Sequence, residues 1–166
     1  MSSDYHNPNG PEVAVYVITY NHEKYIGQCL DGIVSQKTNF KFKAYVGEDC
    51  SKDNTAQICR DYESRYPELI QVFSTPQNNM KQNIENIWKA CIESGAKYIA
   101  CIEGDDYWID EHKLQKQYDA LEASPGCSVC ITGVRVIDSD PGIPGKDTFW
   151  PKINREEITI HDIILS

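Results

Sequence analysis

Two rhythms of apolar residues alternate along this chain. Val13 to Thr19 (VAVYVIT) is a continuous apolar, β-branched run, the pattern of a strand buried on both faces. In the segment YNHEKYIGQCLDGIVSQ that follows, Ile26, Cys29, Leu30 and Ile33 recur at i, i+3, i+4 and i+7. That spacing predicts an amphipathic helix, with Asn21 as its N-cap. FKFKAYVGED alternates and then turns apolar, which predicts a second strand ending at Glu48–Asp49. The turn CSKDNT leads to a helix from about Thr55 to Tyr66, stopped by Pro67. Leu69 to Phe73 predicts a third strand, and Pro76 to Lys81 a polar loop. Ile84, Ile87, Trp88, Cys91 and Ile92 mark one face of a third helix, closed by Gly95. Lys97 to Ile102 predicts a fourth strand, residues 112–123 a helix stopped by Pro125–Gly126, and Ser128 to Ile137 a fifth strand. Asp138 to Lys146, with two Pro and two Gly, reads as a loop, and FWPKINREEITIHDIILS stays amphipathic to its end. Residues 1–11 are polar with two Pro and a Gly, and are predicted to form a flexible tail before a domain over 12–166.

Strands alternating with helices predict parallel strands joined by crossover helices, a doubly wound α/β sheet. Ligands of such sheets bind at the carboxyl ends of the strands. The unusual polar clusters all fall there: TYN after the first strand, EDCSKDN after the second and EGDD after the fourth. They are predicted to converge on one edge of the sheet.

Composition narrows the partners. The chain has 166 residues, 40% of them hydrophobic, enough for a packed core. Its 16 Lys and Arg stand against 25 Asp and Glu, a net charge of −9, which argues against nucleic acid as a partner. The longest fully apolar run, Val13 to Ile18, falls well short of the roughly 20 residues of a membrane-spanning helix. The N-terminal residues lack a signal-peptide pattern, so a cytoplasmic location is expected. Seven Cys, an odd number, argue against a disulfide framework. Cys127 and Cys130 form a CxxC with no second ligand pair, and are expected to be buried strand thiols.

Glu103, Asp105 and Asp106 place three carboxylates within four residues. Such mutual repulsion is relieved when a cation sits among them, and oxygen donors suit Mg²⁺ or Mn²⁺. The alternative is a solvated acidic turn that caps the next helix. Asp49, at the end of the second strand, is placed to accept from a nucleobase N–H or a sugar hydroxyl; Ser51 and Asp53 have helix capping as the alternative. Tyr20 can stack on a base or pack beneath a loop, and Trp108 can wall a sugar or join the core. No GxxxxGK[ST] or GxGxxG occurs, so a diphosphate is expected to be held through a metal. A phosphoacceptor signalling domain would need an Asp where the third strand ends in Phe73-Ser74-Thr75.

In order and spacing, VAVYVITYNHEKYIGQCL, VGEDCSKDNT, NNMKQNIENIWKAC and KYIACIEGDDYW resemble an inverting family 2 glycosyltransferase. The resemblance runs from about Val13 to Tyr118. It implies a Rossmann-like GT-A fold, a mostly parallel sheet flanked by helices, truncated after the nucleotide-binding half. It also implies metal-dependent transfer from a nucleotide-sugar donor, a UDP-sugar being the expected one, to a glycan or lipid-linked acceptor. Carried over by position, Thr19, Tyr20 and Asn21 would line the donor pocket, with Ile18 where the family has Pro. Asp49 would contact the base, with Cys50 at the family's Gly. Lys81 would reach base or phosphate. Glu103, Gly104 and Asp105 match the Asp-x-Asp motif, so Asp105 would touch ribose or metal, and Asp105, Asp106 and Glu103 would hold the ion. The general base is expected beyond Ser166, although Asp138 and Asp140 remain in the last stretch. Peripheral association with the inner membrane face through missing regions is a further expectation. The alternative to an active enzyme is a nucleotide-sugar-binding domain without turnover.

Overall fold

The computed structural model describes residues 7, 9–136 and 148–150. In chain order the elements are β1 (Val13–Thr19), α1 (Ile26–Val34), β2 (Phe42–Glu48), α2 (Thr55–Arg65), β3 (Ile70–Ser74), α3 (Met80–Glu93), β4 (Tyr98–Glu103), α4 (Lys113–Ala123), β5 (Val134–Val136) and β6 (Thr148–Trp150). They fall into two compact units, Met1–Asp119 and Ala120–Ser166.

In the first unit β1 to β4 form a parallel sheet in the order β3-β2-β1-β4. β1 is flanked on both sides: Val13 pairs with Phe42 and with Tyr98. Both of its faces are covered as well, which is why its apolar run is unbroken. Val13, Val15 and Val17 pack with Ile26, Cys29, Leu30 and Ile33 of α1 and with Cys59 and Tyr62 of α2. Ala14 and Tyr16 pack with Ile87 and Cys91 of α3. Burial pushes the thiols of Cys29, Cys59 and Cys91 up to about 12, so these cysteines are inert core residues. The chain thus steps outward from β1 to β3, then crosses back through α3 to place β4 on the other side of β1. Keeping each crossover right-handed requires α3 on the opposite face from α1 and α2. The reversal of direction creates a switch point between the carboxyl ends of β1 and β4.

The expected helix starts shift for local reasons. α1 begins at Ile26, not after Asn21: its cap position is Tyr25, without a side-chain capping bond. The His22 carbonyl instead accepts from the amides of Tyr25 and Ile26 at 2.9 and 2.8 Å. α3 begins within the predicted polar loop because the Asn79 side chain caps it, accepting from the Gln82 amide at 3.2 Å. Its buried stripe is Asn83, Ile87 and Cys91, while Ile92 is exposed. Trp88 is partly exposed and lies against Tyr16, ring centroids 5.2 Å apart. Asn83 enters the apolar stripe because its amide donates to the Gly47 carbonyl of β2 at 3.0 Å.

Gln36, buried just beyond α1, fixes the connection from β4 to α4. Its amide donates to the carbonyls of Gly32 and Asp110 (3.2 and 2.8 Å), and its oxygen accepts from the Leu114 amide at 2.9 Å. Trp108 packs on the core of α1 and α2 as well, its backbone lying where a Cβ on Gly32 would project. Near the start of the chain, the Asn7 amide donates to the Gly95 carbonyl at 3.2 Å.

In the second unit β5 and β6 form an antiparallel pair, Val134 opposite Trp150. The expected fifth parallel strand over Ser128 to Ile137 is therefore corrected to three residues in a separate sheet. Among the described residues its ladder consists of Val134, Arg135 and Val136 opposite Trp150, Phe149 and Thr148. Cys127 and Cys130 are corrected with it. Cys127 is exposed in the turn that follows α4, its amide donating to Ser124, and Cys130 is half-buried outside any strand. The predicted loop over 138–146 and the segment over 151–166 lie outside the described residues. No helix among the described residues is long and apolar enough to cross a membrane.

Candidate functional site

The turns after β1 and β2 are polar because each supplies the other's hydrogen bonds. The Asn21 amide donates to Ser51 Oγ at 3.0 Å, and Asn21 Oδ1 accepts from the Lys52 amide at 2.8 Å. The His22 amide donates to Thr55 Oγ1 at 2.8 Å and the Glu23 amide to Asp53 Oδ2 at 3.1 Å. The Asn54 amide returns to Glu23 Oε2 at 3.0 Å. Asn21 adopts φ 55°, a left-handed conformation that Asn tolerates. Ser51, Asp53 and the Asn21 oxygen are thus engaged in joining two loops.

Asp49, one residue beyond β2, is 3% exposed. Its Oδ1 accepts from Thr75 Oγ1 and from the Asn79 amide, both at 2.7 Å, and its Oδ2 from Asn78 Nδ2 at 2.8 Å. A buried carboxylate is tolerable only when donors surround it. Here the donors come from the connection between β3 and α3, so Asp49 draws the start of α3 to the carboxyl end of β2. Oδ2, with one protein donor, keeps acceptor capacity. The next residue, Cys50, has φ 57°, a conformation glycine adopts freely. This is the place where the resemblance expects Gly. Neighbouring Glu48 is also buried, with Oε1 accepting from the Ser51 amide at 2.7 Å.

The ends of β1 and β4 meet at the switch point. The Gly104 amide donates to the Ile18 carbonyl at 2.9 Å, extending the ladder past β4. A Cβ on Gly104 would lie 2.5 Å from Thr19 Oγ1 and 3.0 Å from His22 Nδ1, so only glycine fits. Thr19 is buried, its Oγ1 3.2 Å from His22 Nδ1; His22 Nε2 is 3.9 Å from Asp105 Oδ2. Asp105 and Asp106 are exposed beyond the turn that the Asp106 amide closes on the Glu103 carbonyl at 3.1 Å. Tyr20 is half-buried beside Thr19.

The carboxylates fit a cation only in part. Among the described residues, no three His, Cys, Asp or Glu side chains converge as metal ligands. Glu103 belongs to β4, alternating with buried Ile102, and its side chain leaves the sheet on the opposite face from Ile102. The structure does not bring the expected set of Glu103, Asp105 and Asp106 together as a ligand group, and Asp105 and Asp106 stand next to each other beyond the strand end. Two carboxylates suit an ion whose remaining ligands are phosphate oxygens and water. Asp106 is exposed at its surface, but partial desolvation of its carboxyl, and after it the charge of Asp105, raise that carboxyl above its ordinary range. The folded state then holds this proton more tightly than the unfolded state, so its contribution to stability falls as pH rises through that raised value. Asp106→Asn is expected to melt higher than the parent protein near neutral pH. The gain should vanish below the ordinary carboxylate range, about pH 4. Melting temperatures across that range check this; an equal or lower melting temperature at pH 7 contradicts it.

Lys81 lies in the first turn of α3, largely exposed, with its ammonium 3.9 Å from Glu85. Asp138 and Asp140 lie outside the described residues. His22, Thr75 and Asn78 were absent from the expectations, since no spacing rule connects them to Asp105 or Asp49. The one available signal is that all three follow strand ends.

Four parallel strands with carboxylates gathered at a β1–β4 switch point define a Rossmann-like GT-A domain. The chain belongs to glycosyl transferase family 2, whose sequence profile matches residues 14–162. It is 33% identical over 154 residues to an uncharacterized protein of Mycobacterium tuberculosis, covering 92% of this chain and 43% of that relative. Staphylococcus aureus TarS 1–349, solved in complex with UDP, matches 68% of this chain and 32% of its own at 26% identity, with a TM-score of 0.56. The mannosyltransferase PcManGT from Pyrobaculum calidifontis, solved with GDP-Man and Mn²⁺, shares the fold at 22% identity and a TM-score of 0.57, over 69% of this chain and 33% of that one. The chain therefore spans less than half the length of these relatives.

Proposed function

We propose that this chain carries the donor site of a glycosyltransferase that moves a sugar from a nucleoside diphosphate to an acceptor hydroxyl with inversion. A UDP-sugar is the expected donor, a glycan or lipid-linked hydroxyl the acceptor, and the cytoplasmic face of a membrane the setting. The observation that carries this reading is the meeting of Thr19, Asp105 and Asp106 at the β1–β4 switch point, with buried Asp49 at the neighbouring strand end. The TarS complex supports UDP as the first nucleotide to test.

Each residue has a role consistent with its place. Tyr20 stacks on the base, and Asp49 Oδ2 accepts a base N–H through its remaining lone pairs. Asn21 supports this wall through its tie to Lys52. Asp105 faces the ribose or the ion, and Asp105 and Asp106 together hold Mn²⁺ or Mg²⁺. Lys81, two residues past the Asn79 cap, extends a cation toward base or phosphate. An ion held there would neutralise charge on the diphosphate, for which the sequence has no GxxxxGK[ST] or GxGxxG loop. A carboxylate base takes the acceptor proton as the hydroxyl oxygen bonds to the anomeric carbon and the bond from that carbon to the diphosphate oxygen breaks.

Calorimetric titration with UDP, GDP and CDP, each with and without Mn²⁺, tests this. UDP is expected to bind at least about tenfold more tightly with Mn²⁺, equivalent to ~1.4 kcal/mol. Asp105→Ala and Asp106→Ala should each remove that increment. Failure of all three nucleotides to bind with Mn²⁺ present overturns the donor-site reading. Unchanged UDP–Mn²⁺ affinity in both variants overturns the ion assignment. Donor binding without hydrolysis or transfer favours a binding domain that lacks turnover by itself.

A further inference from the structure

His22 is the one imidazole at the switch point among the described residues, and its surroundings fix it more firmly than a loop residue requires. Its amide is held by Thr55 Oγ1 at 2.8 Å, and its carbonyl receives the first amides of the α1 turn. One side of the ring meets Gly104, where even a methyl group would crowd Nδ1 at 3.0 Å. Nδ1 is 3.2 Å from Thr19 Oγ1. The side chain is only 24% exposed, whereas that of Asp105 is 47% exposed. The ring is therefore the fixed partner and the carboxylate the adjustable one.

In the neutral imidazole the Thr19 contact has two possible directions, and the far nitrogen decides between them. If Nδ1 carried the hydrogen, Nε2 would present a lone pair to the Asp105 carboxylate 3.9 Å away, an unfavourable arrangement. If the Thr19 hydroxyl donates to Nδ1, the hydrogen sits on Nε2 and faces the carboxylate. We propose that His22 is a positioning residue for the donor site: Thr19 selects its Nε2–H tautomer, and that N–H holds the Asp105 carboxylate in the orientation used for ribose or ion. At 3.9 Å the pair is not yet hydrogen-bonded, and rotation of the exposed carboxylate closes the gap. The chain Thr19 hydroxyl, imidazole, carboxylate runs from buried β1 to the exposed end of the acidic turn. It gives Asp105 a defined direction without a second cation from the protein. This inference rests on the donor-site reading above.

The test separates the two. UDP affinity with Mn²⁺ is measured by calorimetry for the parent protein, His22→Ala, His22→Gln, Asp105→Ala and the double variant His22→Ala/Asp105→Ala, with melting curves confirming that each is folded. The Gln amide can place a donor near the position of Nε2. His22→Ala is expected to weaken binding about tenfold, the scale of one charge-assisted hydrogen bond. His22→Gln should recover most of that loss. The double variant should bind no more weakly than Asp105→Ala, because His22 acts through that carboxylate. In the ¹⁵N spectrum of the parent protein the His22 ring should show the Nε2–H tautomer. Additive losses in the double variant, an Nδ1–H tautomer, or unchanged affinity in His22→Ala overturn this inference while leaving the donor site standing. Absence of nucleotide binding by the parent protein overturns both. Should His22→Ala not fold, the tautomer and the His22→Gln affinity decide: an Nδ1–H tautomer, or tenfold weaker binding by folded His22→Gln, overturns the proposal.

Discussion

Asp49→Ala is expected to lower the unfolding free energy by about 3 kcal/mol and to abolish nucleotide binding. The carboxylate receives the Thr75 hydroxyl, the Asn79 amide and the Asn78 side chain, and it is almost wholly buried. Hydrogen bonds to a charged group contribute roughly 1.5–3 kcal/mol each, although three on one acceptor do not simply add. The stability loss has a local path. Thr75 is buried and left without this acceptor, and the Asn79 amide opens α3. Asp49→Asn is expected to be milder but not neutral. All three bonds point toward the carboxylate, so an amide nitrogen at either oxygen position must face a donor. Urea denaturation with nucleotide titration checks both variants. A loss under about 0.5 kcal/mol for Asp49→Ala, the scale of an ordinary surface substitution, would show that solvent already satisfies these donors.

The same carboxylate marks where sequence patterns stop being informative. The first unit's sheet was legible because burial of β1 on both faces forces a continuous apolar run, and the helices betray themselves by their spacing. Strand-end clusters were legible as a group for the same reason, since parallel topology sends them all to one edge. What each polar residue does there was not. Asn21 looks like an N-cap in sequence, yet it spends its oxygen on Lys52, 31 residues away. The Glu23 amide donates to Asp53 and the Asn54 amide to Glu23 across a similar distance. Local rules describe competition among near neighbours, whereas these bonds exist only once β1 and β2 are paired. Asn83 shows the limit in another way. A polar residue at a core position of α3 breaks the hydrophobic stripe, but its amide meets the Gly47 carbonyl on the facing strand. The second unit failed for a further reason: an apolar stretch predicts a strand, and nothing in it reports which sheet the strand joins.

Gly104→Ala is expected to cost about 1–3 kcal/mol, the range for overpacking a close contact, and to weaken UDP–Mn²⁺ binding more than tenfold. The added methyl would sit 2.5 Å from Thr19 Oγ1 and 2.6 Å from Thr19 Cβ. Thr19 has little room to yield. It is 3% exposed, and its carbonyl accepts from the Asp49 amide at 3.1 Å. Movement of Thr19 away from position 104 therefore disturbs the end of β2 as well as the end of β4. It also breaks the Thr19 contact with His22. The alternative relaxation moves the 104–106 turn outward, lengthening the bond from the Gly104 amide to Ile18 and shifting the Asp105 and Asp106 carboxylates. Either path disturbs the proposed donor site, so affinity should fall further than stability alone accounts for. Gly27→Ala is the matched control. No atom lies within 4 Å of its new methyl, and Gly27 is inside α1, so that change should stabilise by roughly 0.5–1 kcal/mol. If Gly104→Ala proves as benign as Gly27→Ala in urea and in nucleotide titration, the strand ends are not held together in solution as closely as this packing requires.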